Sequence, residues 1–269
     1  MIHTPQGRPA IWLWPNLIGL DAPLVALTWQ AFLAFCFALP LRPVGRAVLG
    51  LTVWAIYLAD RLLDVRNTPQ EQEPERHRFH RRHKGAFRIL LVLILCADLA
   101  AVLLWLRPAV FRSGLYPFTA VLLYMGVIHR HRLRMAKEVA VALLFTAGTF
   151  LIGWTFSEQR FTLLLPAASF LLLCLGNLVA IEMWEWRELR HGVGDRPHAI
   201  TILLDRKFLW WMGALTAAAM FGETVWYAAI ALSAGAIATL YAMGTRWSLN
   251  ARRVLVDAAL LTPLLWLLG

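Results

Sequence analysis

The chain has 269 residues, 59% of them hydrophobic and only 16% charged, with a mean hydropathy of +0.60. A water-soluble domain carries roughly 25% charged residues, so this composition excludes an ordinary soluble enzyme. The net charge of +10 and the pI near 10.4 would point to nucleic acid in a soluble chain; here the cations collect in loops on one side of a series of apolar runs, so no nucleic-acid partner is expected.

Runs of about 20 apolar residues, each long enough to cross a bilayer, predict nine helices at 17–40, 44–64, 88–106, 109–128, 137–156, 161–183, 201–220, 224–244 and 252–268. Pro40 and Pro43 separate the first two, Arg107 and Pro108 the next pair, and Asn250 with Arg252 and Arg253 opens the last. No linker interrupts the pattern, which predicts an all-α, polytopic membrane bundle forming a single domain over 1–269. The first run lacks a small-residue cleavage site and is expected to stay as an anchor. Cys36, Cys96 and Cys174 lie in apolar runs and form no disulfide or zinc framework.

Orientation follows from the cations. Segments 61–88, 130–137, 187–207 and 246–253 hold eight, four, five and three of the 26 lysines and arginines, and Arg8 adds one. The opposite side holds Arg42, Arg46, Arg107, Arg112 and Arg160. The asymmetry predicts a cytoplasmic N-terminus and cytoplasmic ends for the even-numbered helices. The absence of an organelle-targeting pattern favours a bacterial inner membrane.

Two acidic constellations fall on that same side. The first is Asp60 and Asp64, at the end of the second predicted helix. Four residues apart, they share a helix face one turn from each other. Like charges so placed suit a hard cation such as Mg²⁺, completed by water and substrate phosphate; equally, Arg61 and Arg66 could neutralise them as a solvated helix end. The second is Asn177 with Glu182, Glu185 and Glu188, near the end of the sixth helix. Spacing of three keeps successive glutamates within about 60° of each other around a helix. Trp184 and Trp186 lie between them, and Arg187 and Arg190 offer an alternative as ion-pair partners. Carboxylates at a membrane boundary imply function, and two such clusters flanked by basic loops are what a metal-bridged diphosphate requires.

At these residues the chain resembles the UbiA superfamily of intramembrane prenyltransferases. Asp60 and Asp64 match the two aspartates of the family's NxxxDxxxD motif, although Ile56 stands at its asparagine position. Glu182, Glu185, Glu188 and Asp195 occupy the region of the second acidic motif, with glutamates for aspartates and altered spacing. Asp195-Arg196 followed by Ile200-Thr201-Ile202-Leu203 is similar to the segment leading the family's seventh helix, and Lys137 matches its basic residue opening the fifth. The resemblance implies an enzyme that binds an allylic prenyl diphosphate through Mg²⁺, with the isoprenoid tail in a lipid-accessible cavity, and transfers the prenyl group to an aromatic or other lipophilic acceptor. It implies metal ligation by Asp60, Asp64, Glu185 and Glu182 or Glu188, and diphosphate binding by Lys137, Arg66 and Arg190, with Asn177 nearby. A terpene cyclase of the same superfamily, acting without an acceptor, is the sibling reading. In that case Trp54, Trp154, Trp184 or Trp186 could supply π faces to a migrating cation, although interfacial tryptophans are common in any such bundle.

Other signals carry less. His77, His80 and His83 have a spacing that could bind zinc on a helix, but the arginines between them repel a cation; a basic amphipathic segment on anionic lipid, or a cap over the diphosphate, fits better. His129 and His131 suit headgroup contact. Asp21, Asp98 and Asp257, in or near apolar runs, each suit either a cavity-facing role or internal pairing. A CDP-alcohol phosphotransferase is excluded because no aspartate is followed by glycine. A transporter would be expected to show broken helices near mid-membrane, and a non-catalytic prenyl-lipid binder is the remaining alternative.

Overall fold

The computed structural model describes residues 10–67, 75–131, 137–190 and 196–269, and within these all side chains except those of 65–67, 75–77, 127–131, 190 and 245. Among the described residues there is no strand. The helices are α1 (Trp14–Ile18), α2 (Asp21–Cys36), α3 (Pro43–Asn67), α4 (Glu75–Arg82), α5 (Lys84–Trp105), α6 (Pro108–His131), α7 (Lys137–Thr149) and α8 (Leu151–Phe156). There follow α9 (Leu164–Glu185), α10 (Ala199–Arg206), α11 (Phe208–Met220), α12 (Val225–Ala242), α13 (Leu249–Ala258) and α14 (Leu264–Leu267). A π-helical turn, Trp186–Arg190, continues α9.

Each apolar run becomes helical, but several break. The run at 17–40 is broken between Ile18, where α1 ends, and Asp21, where α2 begins: Gly19 takes a left-handed φ of 74° and the chain bends 82° between 11–18 and α2. A Cβ at Gly19 would stand 2.9 Å from the Tyr57 ring, so both the bend and the close approach require glycine there. The run at 201–220 breaks at Lys207, where α10 ends in Asp205-Arg206. The run at 252–268 divides at Thr262 and Pro263, the latter lacking the amide hydrogen that a continuing helix needs.

Among the described residues, three helices are long and apolar enough to cross a membrane: Lys84–Trp105, Arg160–Leu189 and Val225–Ala242. The bent pair Ile11–Ile18 and Asp21–Cys36 makes a fourth if it counts as one span. The other segments are short, as in the 13 residues each of α7 and α11, or carry charge, as α3 does at Arg46, Asp60, Arg61 and Asp64. The outer face of α5 is apolar and open, with Leu93, Leu103 and Leu104 each more than 60% exposed. An unbroken apolar face of that kind marks contact with lipid or a partner rather than water.

The core lies between α2, α9 and α12. Trp29, Phe32, Phe170 and Trp226 are fully buried, with the Trp29 and Phe170 rings 4.8 Å apart. Both indole N–H groups are satisfied: Trp29 donates to the Leu260 carbonyl at 2.7 Å and Trp226 to Ser169 Oγ at 3.2 Å. Such buried rings contribute large apolar area while their polar edge stays bonded. On the other side of α2, α3 packs along both α2 and α5. There the bundle holds open space instead of side chains.

Candidate functional site

A cavity of about 1030 Å³ runs beside α3, walled also by α2, α5, α6, α7 and α9. Its α3 wall is the stripe Gly45, Val48, Leu49, Thr52, Val53, Ile56, Tyr57, Asp60, Arg61 and Asp64. Those steps of three and four are one face of a helix. From Gly45 to Asp64 the stripe covers about 28 Å at the helical rise. Polarity changes along it: the Gly45 end is apolar, and the charged groups gather at the Asp64 end. On α5 and α6 the wall is mostly apolar and half-exposed, as at Leu95, Leu99, Leu115 and Phe118, with Asp98 and Tyr124 its polar members.

At the charged end, Lys137 Nζ donates to Asp60 Oδ2 and to Asp64 Oδ2, both at 2.9 Å. Lys137 opens α7, so an antiparallel neighbour of α3 brings one ammonium between two carboxylates a turn apart. The arrangement relieves their repulsion and holds both toward the cavity. Next to it, Glu138 accepts from Thr201 Oγ1 at 2.8 Å, tying α7 to α10. The Tyr124 hydroxyl, from α6, also lines the cavity and is buried without a hydrogen-bond partner among the described residues.

Behind this pair lies a buried polar network that joins opposite ends of the chain. Arg61, 3% exposed, donates to the Tyr57 hydroxyl, which donates to Asp21 Oδ2 at 3.0 Å. Asn16 Nδ2 donates to the same Asp21 oxygen at 2.7 Å, and Arg253 Nη2 donates to Asn16 Oδ1 at 3.1 Å. Arg253 Nε stands 3.3 Å from Glu185 Oε1, both side chains being buried. Asn177 donates to Asp257 Oδ1 at 3.0 Å. Buried charges persist only when paired and hydrogen-bonded, and this network meets that condition across α2, α3, α9 and α13. Asp21 Oδ1 and Arg61 Nη1 are exceptions: both are buried without a hydrogen-bond partner among the described residues, on side chains that line the cavity.

The residues predicted from sequence therefore divide. Asp60, Asp64, Lys137, Asn177, Glu182 and Glu185 all line the cavity. Glu185 is turned to Arg253, and Glu188, 44% exposed, pairs with Arg252. The side chains of Arg66, Arg190, His77, His129 and His131, and the whole of Asp195, lie outside the described residues. His80 is buried and stacks on Phe87 at 4.1 Å, a packing role. Trp54, Trp154, Trp184 and Trp186 are not in the cavity wall; Trp54 donates to the Ile18 carbonyl at 2.9 Å and Trp184 stacks on Tyr241. Aromatic faces in the wall come instead from Tyr57, Phe111, Phe118, Tyr124 and Phe145.

Reading the sequence missed Tyr124, Arg61 as a cavity group, and the joining of Asn16, Tyr57 and Arg253. The available signal was a polar residue within an apolar run, which is expensive unless used.

Among the described residues no three His, Cys, Asp or Glu side chains converge as a preformed metal site. The donors present are two carboxylates one turn apart, with Glu182 in the same cavity wall. That set fits an ion completed by phosphate oxygens and water, the usual manner of holding Mg²⁺. It does not fit a caged structural metal.

No protein-family model, curated protein or solved structure matches the chain.

Proposed function

We propose that this protein is a UbiA-like intramembrane prenyltransferase with nine crossings, which ionises an allylic prenyl diphosphate with Mg²⁺ and passes the prenyl group to a lipophilic acceptor. The observation that carries the reading is the gathering of charge at one end of a long cavity. Asp60 and Asp64 share Lys137 at one end, and a mostly apolar space extends from Asp60 about 22 Å along α3 to Gly45. An anionic head with a long hydrocarbon tail matches both ends. A membrane setting with the charged end cytoplasmic, in a bacterial inner membrane, agrees with the cation asymmetry and with the exposed apolar face of α5.

In this reading Asp60 and Asp64, with Glu182 in the same cavity wall, would hold the ion. When bound, Mg²⁺ neutralises charge developing on the departing diphosphate and so eases cleavage of the allylic C–O bond. Lys137, Arg61 and the Tyr124 hydroxyl supply donors to the same oxygens, fixed in place before reaction. The apolar wall keeps water from the cation that forms. Glu185 and Glu188, engaged by Arg253 and Arg252, position the second acidic segment.

The test is diphosphate release by the purified protein from geranyl, farnesyl and geranylgeranyl diphosphates, with and without Mg²⁺ and with and without aromatic acceptors. Release that needs Mg²⁺, an acceptor and Asp60 supports the transferase. Release without acceptor, with a cyclic hydrocarbon in the extract, replaces it by a cyclase. Folded protein that releases nothing under any condition leaves a lipid binder or transporter.

A further inference from the structure

Asp98 is the one charged residue between Arg88 and Arg107, within the most apolar of the three spans. A carboxylate there is expensive and marks a used position. Thr52 Oγ1 donates to its Oδ2 at 2.7 Å, while Oδ1 is buried with no hydrogen-bond partner among the described residues. Thr52 and Asp98 both line the cavity. Thr52 lies eight residues before Asp60 on α3, about 12 Å along the axis. Gln30 of α2, 2% exposed, lines the same cavity, and its amide oxygen likewise lacks a partner among the described residues. Asp21 and Asp257 line the cavity too, and Asp21 Oδ1 likewise lacks a partner among the described residues, but Asp21 Oδ2 takes two donors, from Asn16 and Tyr57, and Asp257 accepts from Asn177, so both are committed to the structural network.

A hydrocarbon tail has nothing to give an acceptor atom in its path and leaves that atom desolvated, which is unfavourable. Resting on the reading above, we propose that Thr52 and Asp98 form the subsite for the acceptor, a lipophilic molecule bound through a hydroxyl group. Thr52 gives its hydrogen to Asp98, so what the pair offers a ligand is carboxylate oxygen. That oxygen selects hydrogen-bond donors: phenols, hydroquinones and alcohols over quinones, ethers and carboxylates. The separation from Asp60 leaves room for the diphosphate and the reacting ring between the two polar stations.

The test reads binding, independently of turnover. Wild type, Asp98→Leu, Asp98→Asn and Thr52→Val, as full-length protein in nanodiscs, are titrated calorimetrically with 1-naphthol and with 1-methoxynaphthalene. Wild type is expected to bind naphthol about tenfold more tightly than its ether, as a hydrogen bond to a charged acceptor confers. In Asp98→Leu the ratio is expected to fall to within about twofold, with Thr52→Val between the two. Asp98→Asn keeps the shape and an amide oxygen acceptor but removes the charge, so it reads a smaller fall in the same ratio if Asp98→Leu fails to fold. Equal binding of the two probes by wild type, or a naphthol preference undiminished by loss of the Asp98 carboxylate, overturns the subsite. Diphosphate release on the same preparations keeps the two readings apart: a preference lost with Asp98, in protein that releases no diphosphate, upholds the subsite and removes the transferase.

Discussion

The acidic ends of α3 and α9 look alike in composition and differ in how their charge is met. On α3, Asp60 and Asp64 share Lys137, whose flexible stem brings one ammonium to both at 2.9 Å. On α9 and its π-helical continuation, Glu185 and Glu188 each have a guanidinium from α13, Arg253 and Arg252. Arg253 and Glu185 are 1% and 7% exposed, whereas Lys137, Asp60 and Asp64 are 36%, 21% and 28% exposed. A buried one-to-one pair has little to spare for a ligand, and breaking it leaves an uncompensated charge. A shared, half-open ammonium is free to move aside, as the proposed binding of a divalent ion and a diphosphate requires. In that proposal α9 mainly holds the bundle together and α3 binds.

The largest effect should come from the buried side. Arg253→Met leaves Glu185 without its partner and should lower stability by about 3–5 kcal/mol, read as a drop in thermal midpoint in detergent. The double replacement Glu185→Leu with Arg253→Leu should recover most of it; if it stays as unstable as the single variant, the pair is not what holds α13 to α9. Next in size, Asp60→Asn should leave the thermal midpoint near wild type while reducing Mg²⁺-dependent diphosphate release by about 10²–10³, the range for losing one electrostatic stabiliser of a transition state. Equal loss of fold and activity in that variant would erase the distinction between the two helices.

Smaller effects sharpen it. Lys137→Met removes the internal counter-ion from two carboxylates, so half-saturating Mg²⁺ should move to lower concentration even as the rate falls; a shift to higher concentration would make Lys137 a plain diphosphate ligand. Glu188→Gln, at a partly exposed pair, should change stability by about 1 kcal/mol or less in the same thermal assay.

Why the sequence carries one half of this contrast and not the other follows from distance along the chain. Asp60 and Asp64 are four apart, and helical periodicity alone puts them together. Lys137 opens a helix, and the family resemblance singled it out. By contrast, Arg253 reaches Asn16 across 237 positions, and Asn177 reaches Asp257 across 80. No local period reports such pairings, so Asp21, Asp98 and Asp257 read identically as acids in apolar runs; all three line the cavity, but Asp21 and Asp257 are tied to Asn16, Tyr57 and Asn177, whereas Asp98 meets Thr52. The helices show the same limit. Apolar runs predict where they lie, but the bend at Gly19 depends on the Tyr57 ring arriving from α3, and the break at Lys207 on a short polar triplet that hydropathy passes over.

The most direct measurement is binding of the non-cleavable analogue farnesyl thiolodiphosphate, by calorimetry on wild type and Asp60→Asn/Asp64→Asn protein. The account predicts tight binding that requires Mg²⁺ and is lost in the double variant, with Arg252 and Arg253 intact in both. Binding indifferent to Mg²⁺ and to both aspartates would contradict it.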